Sequence, residues 1–159
     1  MPSRATNILL PIIAVIVYLC FDVLYIFFAR NRYEPVVSNI QKGDPVEFDF
    51  VAAIVCYAIL AFGWYFIAVA LALSYFDKLQ QRRPTWTPLA TSAMSGLVGG
   101  VIFGLVVFGV FNLTTRALFY HRYPLSILLQ DMAWGTLFNM VYTCIYMIIW
   151  RRFNVPVEL

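Results

Sequence analysis

The sequence predicts an all-α integral membrane protein, four transmembrane helices packed as one antiparallel bundle. Three observations carry that prediction. Hydrophobic side chains make up 62% of the 159 residues and charged ones only 12%, with a mean hydropathy of +0.80. This is more apolar surface than a soluble domain can hide. The apolar residues are gathered into four long runs, each able to cross about 30 Å of hydrocarbon at 1.5 Å per residue. The later connections are short, which favours antiparallel neighbours.

The first run, about 8–29, follows Asn7 as an N-cap and carries Pro11 in its opening turn, where a missing backbone N–H costs least. A cleaved signal peptide is the competing reading. Asp22 interrupts the run, however, and bulky Phe27 and Phe28 stand where small residues should precede cleavage, so a permanent span is expected. Residues 30–50, with Pro35, Gly43, Pro45 and several acids, read as a polar surface loop. The second, third and fourth spans are placed at about 51–76, 93–113 and 125–150. Between them lie a basic connection holding Arg82, Arg83, Pro84, Trp86 and Pro88, and a short one around Tyr120 to Pro124. No repeat or low-complexity tract divides the chain, so residues 1–159 are expected to form a single membrane domain.

A net charge of +3, scattered among the segment ends, argues against a nucleic-acid surface. The basic residues instead bear on orientation. Arg82, Arg83, Arg151 and Arg152 lie beside helix ends on the side shared by both termini, with Arg4 and Lys78, whereas Arg30, Arg32, Lys42, Arg116 and Arg122 fall opposite. The positive-inside rule then puts both termini on the cytoplasmic or equivalent side. Cys20, Cys56 and Cys144 all lie inside apolar runs without a Cys-x-x-Cys pair, which indicates neither a disulfide framework nor a metal site. His121 is the only histidine, so it lacks the company a zinc site needs and reads as an interfacial side chain.

A carboxylate in the middle of a span costs about 2.5 to 3.5 kcal/mol on insertion scales, so each one requires a reason. Asp22 and Asp131 are the two, and the predicted boundaries put both about 10 Å inside the same far boundary. Asn112, Thr114 and Arg116 reach that level from the third span, making a polar cluster of Asp22, Asn112, Thr114, Arg116 and Asp131 geometrically available. Arg116 could hold either acid in a bidentate pair, although basic side chains near helix ends more commonly snorkel to water.

Along the fourth span Asp131, Gly135, Asn139, Tyr142 and Tyr146 recur at three- and four-residue spacing, a polar and small stripe expected to face protein. Tyr18, Asp22 and Tyr25 do the same on the first. Gly96, Gly100 and Gly104 form a small-xxx-small row for close helix approach, with Gly135 a further packing position. No Lys-Ser/Thr follows the glycines, so a phosphate loop is excluded. Because a four-residue row drifts about 40° per step, the glycine end and the Asn112 end are expected to face different neighbours.

The stretch Phe108-Gly109-Val110-Phe111-Asn112-Leu113-Thr114-Thr115, followed by Asp131-Met132-Ala133-Trp134-Gly135, resembles an uncharacterised family of four-helix membrane proteins catalogued as a domain of unknown function. That family carries Tyr-Gly-x-Tyr-Asp-Leu-Thr-Asn in helix three, Asp-x-x-Trp-Gly in helix four and an aspartate near the end of helix one. Gly109, Leu113, Thr114, Asp131, Trp134, Gly135 and Asp22 match, while Phe108, Phe111, Asn112 and Thr115 depart from the pattern. The resemblance implies membrane location and fold, and supplies no activity.

No nucleophile and base pair, metal constellation or cofactor motif is evident, so catalysis and a bound cofactor are not expected. The leading expectation is a non-catalytic accessory subunit of a larger membrane assembly, in an organellar energy-converting complex or a viral membrane. Its partners would be membrane lipids and other membrane subunits, with no nucleic acid and no soluble small-molecule substrate. The alternative is a small transporter or channel-like module using Asp22 and Asp131 for a polar solute or protons. A lipid-modifying enzyme with Asp131 as acid or base is the weakest reading, since no residue is evidently activated.

Overall fold

In hydrocarbon a segment has to satisfy its own backbone N–H and C=O groups, so runs this apolar must coil. The computed structural model describes residues 4–42 and 49–154, with side chains from residue 8 onward. All the regular structure in those residues is helical. Four helices are long and apolar enough to span: α1 (Arg4–Ile40), α2 (Phe50–Arg82), α3 (Pro88–Leu118) and α4 (Leu125–Asn154). Only 22% of the most apolar stretch of α1 is buried. Such a surface on a protein in water would be an aggregation site, whereas lipid solvates it at no cost.

The helices run up, down, up, down. Tyr18 of α1 bonds Asn139 of α4 while Tyr142 of α4 bonds the Ala14 carbonyl of α1, an antiparallel pairing. On α2 and α4, Trp64 meets Thr143 and Phe76 meets Trp150, so those two helices run parallel. The tightest pair is α3 with α4.

Most helix boundaries lie beyond the sequence expectation, α3 and α4 running on to Leu118 and Asn154 as well. Helix α1 starts at Arg4, which leaves Asn7 inside it rather than capping it, and makes Pro11 an interior proline. A spanning helix tolerates that because neighbouring groups re-satisfy the freed carbonyl. Helix α1 also continues to Ile40, through what reads as the start of a loop. Tyr33, Val36 and Ile40 recur there at helical spacing and pack on Tyr123, Ile127 and Leu128, so this extension is an amphipathic cover over the α3–α4 connection. The Ile40 carbonyl, orphaned at the helix end, accepts from Arg122 (3.2 Å). Finally, α2 persists to Arg82 and α3 begins at Pro88. Thr87 caps α3 by accepting from the Ala90 N–H (3.2 Å), with Pro88 in the first turn. Thr87→Ala is expected to cost about 1 kcal/mol, seen as a lower unfolding midpoint in detergent.

Within α2, Trp64–Val69 is π-helical. The widened turn shifts the register of the inward face and brings Trp64 into the bundle centre, fully buried, with its indole N–H donating to Thr143 Oγ1 (3.1 Å). Tyr18 stacks on that indole, ring centroids 5.3 Å apart.

Gly96, Gly100 and Gly104 form one continuous seam against the α4 backbone, at Cys144, Asn139 and Thr136 respectively. Asn112 continues the same seam to Asp131, so the glycine end and the polar end face one neighbour, not two. The 40° drift per step remains, and a seam in four-residue steps winds right-handedly. The two helices coil about each other, and the contact line follows the row.

Candidate functional site

At the far end of the bundle, where α1 leaves the hydrocarbon and α4 enters it, hydrogen-bond donors converge on Asp131, a residue only 8% exposed. Tyr33 of α1 donates to its Oδ1 (2.7 Å) and Asn112 of α3 donates to its Oδ2 (2.6 Å). The Asn112 amide is held in turn, giving its other hydrogen to the Phe108 carbonyl (2.8 Å) and accepting at Oδ1 from the Tyr123 hydroxyl. Because Tyr33 spends its proton on Asp131, the 3.0 Å contact between Tyr25 and Tyr33 has Tyr25 as donor. In this hydrogen-bond chain Tyr25, through Tyr33, and Tyr123, through Asn112, both donate towards the carboxylate, and only the second Asn112 hydrogen is spent elsewhere, on the Phe108 carbonyl.

Two cations stand beyond the ends of this chain. Arg32 donates to Gln130, whose amide lies 3.5 Å from the Tyr25 hydroxyl. Arg116 donates to the Tyr123 carbonyl (2.6 Å) and lies over the Tyr120 ring. Tyr123 itself sits in the α3–α4 connection. Burial first, then the charge of Asp131, pushes its phenol up to about 12, which keeps it a neutral donor.

The other expected cluster residues stand elsewhere. Arg116 bonds a backbone carbonyl rather than a carboxylate. Thr114 is exposed, because two residues along a helix from Asn112 is a rotation of about 200°. Asp22 is buried at 6% exposure and meets the Tyr57 hydroxyl of α2. It does not share the depth of Asp131: Tyr18 pairs with Asn139 and Tyr25 with Trp134, which sets Asp22 near the level of Thr136, about 7 Å from Asp131 along the axis. The expectation of equal depth rested on α1 ending near Ala29, and α1 runs on to Ile40.

A family profile described as "Predicted membrane protein (DUF2177)" matches residues 7–148. The chain belongs to this family. That assignment agrees with four apolar helices and multi-pass membrane location. No curated protein and no solved structure matches the chain.

Below the Asp131 level, this DUF2177 chain carries a second polar centre. Asn139, fully buried, accepts from Tyr18 (3.0 Å) and donates to the Gly135 carbonyl (2.7 Å). Between the two centres lie two buried polar atoms without a hydrogen-bond partner, Trp134 Nε1 and Thr136 Oγ1. Among the described residues no group of three His, Cys, Asp or Glu comes together to hold a metal ion. Sequence reasoning missed Tyr33, Tyr57 and Tyr123. Tyr33 was detectable from the spacing of Tyr33, Val36, Val37 and Ile40, whereas nothing local marks the other two.

Proposed function

We propose that the chain is a non-catalytic subunit of a larger membrane assembly, a single domain with both termini on the cytoplasmic or equivalent side. One observation carries this reading: both oxygens of the intramembrane carboxylate Asp131 already accept from Tyr33 and Asn112. The polar groups are engaged with one another, as interhelical packing requires, and a reacting group would need a free face. Meanwhile α1 presents Phe27 and Phe28 outward beside a thinly packed interface with the other helices, a surface suited to partner helices. Extraction in mild detergent followed by native sizing is expected to show the chain within a particle containing other membrane proteins. A stable lone monomer that supports the cellular phenotype overturns the reading.

A second reading, proton or polar-solute movement, is favoured by the unpartnered Trp134 Nε1 and Thr136 Oγ1 between the two polar centres, since buried polar atoms of this kind are where ordered water sits. Flux into proteoliposomes that is lost in both Asp22→Asn and Asp131→Asn supports it. Absent flux, or flux unchanged by both substitutions, removes it.

A further inference from the structure

A slot of about 590 Å³ runs between α1 and α4 on the side away from α3, walled by Leu10, Val17 and Phe21 from one helix and Val141, Ile145 and Ile149 from the other. Its lining is almost wholly apolar, and several walls, Val17, Phe21, Val141 and Ile145 among them, are open to the bilayer. Pockets for soluble ligands of similar size carry a few convergent polar groups, whereas here Tyr142 spends its hydroxyl on the Ala14 carbonyl and almost none of the accessible lining is polar. The occupant is therefore hydrocarbon.

Shape decides which hydrocarbon. Along α4 the slot extends from Trp134 to Ile149, about 22 Å at 1.5 Å per residue. Spread over that length, about 590 Å³ makes a narrow groove rather than a chamber. A helix with side chains is at least about 10 Å across, so a partner helix or a second copy of this chain would cover the slot without filling its length. A single extended acyl chain fills it.

The end of the slot supplies a headgroup contact. The α4 positions that wall it, Phe138, Val141, Ile145 and Ile149, recur every three or four residues, and the next in that row is Arg152. Arg152 is exposed and has no ion-pair partner among the described residues. Beside it, Arg151 Nε is buried without a hydrogen-bond partner. Guanidinium groups hold phosphate by charge-assisted, often paired hydrogen bonds, and here Arg152 follows directly on the apolar row, with Arg151 next to it in the chain.

We infer that the slot between α1 and α4 seats one acyl chain of an anionic phospholipid, with the lipid phosphate on Arg152 and Arg151. The second acyl chain stays in the surrounding bilayer. This goes beyond a subunit role and is independent of it, because the site lies within one chain.

The test is native mass spectrometry of the full chain in mild detergent with added phosphatidylglycerol or phosphatidylcholine. One phosphatidylglycerol is expected to be retained in preference to phosphatidylcholine, and Arg152→Gln should reduce that preference about fivefold, the contribution of one basic residue at a membrane surface. Val141→Trp, which fills the slot from an exposed position, should abolish retention of both lipids; Ile145→Trp serves the same purpose if that variant does not fold. Equal retention of the two lipids by the unmodified chain overturns the inference. So does phosphatidylglycerol retention that survives a folded slot-filling variant, or a homodimer that forms as lipid is lost.

Discussion

Gly100→Ala is expected to destabilise the bundle by about 3 kcal/mol, the upper part of the range for overpacking a well-packed contact, and Gly100→Leu by more. A Cβ built at Gly100 falls against the Asn139 carbonyl oxygen, and stands 2.6 Å from the carbonyl carbon and 2.7 Å from the Met140 Cα. All three atoms are backbone. No rotamer change relieves the clash, so the two helices must separate along their length. Separation also pulls Asn112 away from Asp131, since that bond lies on the same seam. Gly109 supplies the control. A Cβ there meets only the Met132 Cε at 3.7 Å, an ordinary contact with the flexible end of a side chain. Removing an interior helical glycine then stabilises by roughly 0.5 to 1 kcal/mol. Opposite signs for Gly100→Ala and Gly109→Ala in detergent unfolding are the expected result, and equal effects would show that backbone approach does not hold the pair.

The same seam shows how far the residues could be read in order. Four apolar runs of spanning length follow from composition and spacing alone, because lipid demands them. The inward stripe on α4 is legible for the same reason: period 3.6 separates Asp131, Gly135 and Asn139 from the aliphatic positions around them. Helix ends were harder. Pro35 and the neighbouring charges make residues 30–40 look like a loop, and only the tertiary contact with Tyr123, Ile127 and Leu128 makes the segment's apolar face worth burying. With that extension unread, Tyr33 was missing from the Asp131 network and Asp22 stood at the wrong depth. The seam facing a single neighbour was lost differently, by treating α3 and α4 as straight rods.

Asp131→Leu is expected to cost about 2 to 4 kcal/mol, because it orphans the fully buried donor Asn112, at about 1 to 3 kcal/mol, and the half-buried donor Tyr33, at about 1 kcal/mol. The insertion penalty of the carboxylate does not offset this. In a bilayer or micelle the unfolded reference is a set of inserted helices, so that penalty stands on both sides of the equilibrium. Asp131→Asn should be milder, about 1 kcal/mol. Its carbonyl still accepts from Tyr33, and the Asn112 amide can flip to offer Oδ1 to the new NH₂ group, at the expense of the bond to the Phe108 carbonyl. Tyr123 then rotates its hydroxyl proton away and accepts instead. Adding Asn112→Leu to Asp131→Leu removes one orphan, so the double variant should be more stable than the sum of the singles by about 1 to 2 kcal/mol. Unfolding free energies of the unmodified chain, the three single variants and the double variant in one detergent decide the matter. Equal losses for Asp131→Asn and Asp131→Leu would mean that negative charge, balanced by Arg32 and Arg116 at the ends of the chain, holds this part of the bundle rather than the geometry of the acceptor.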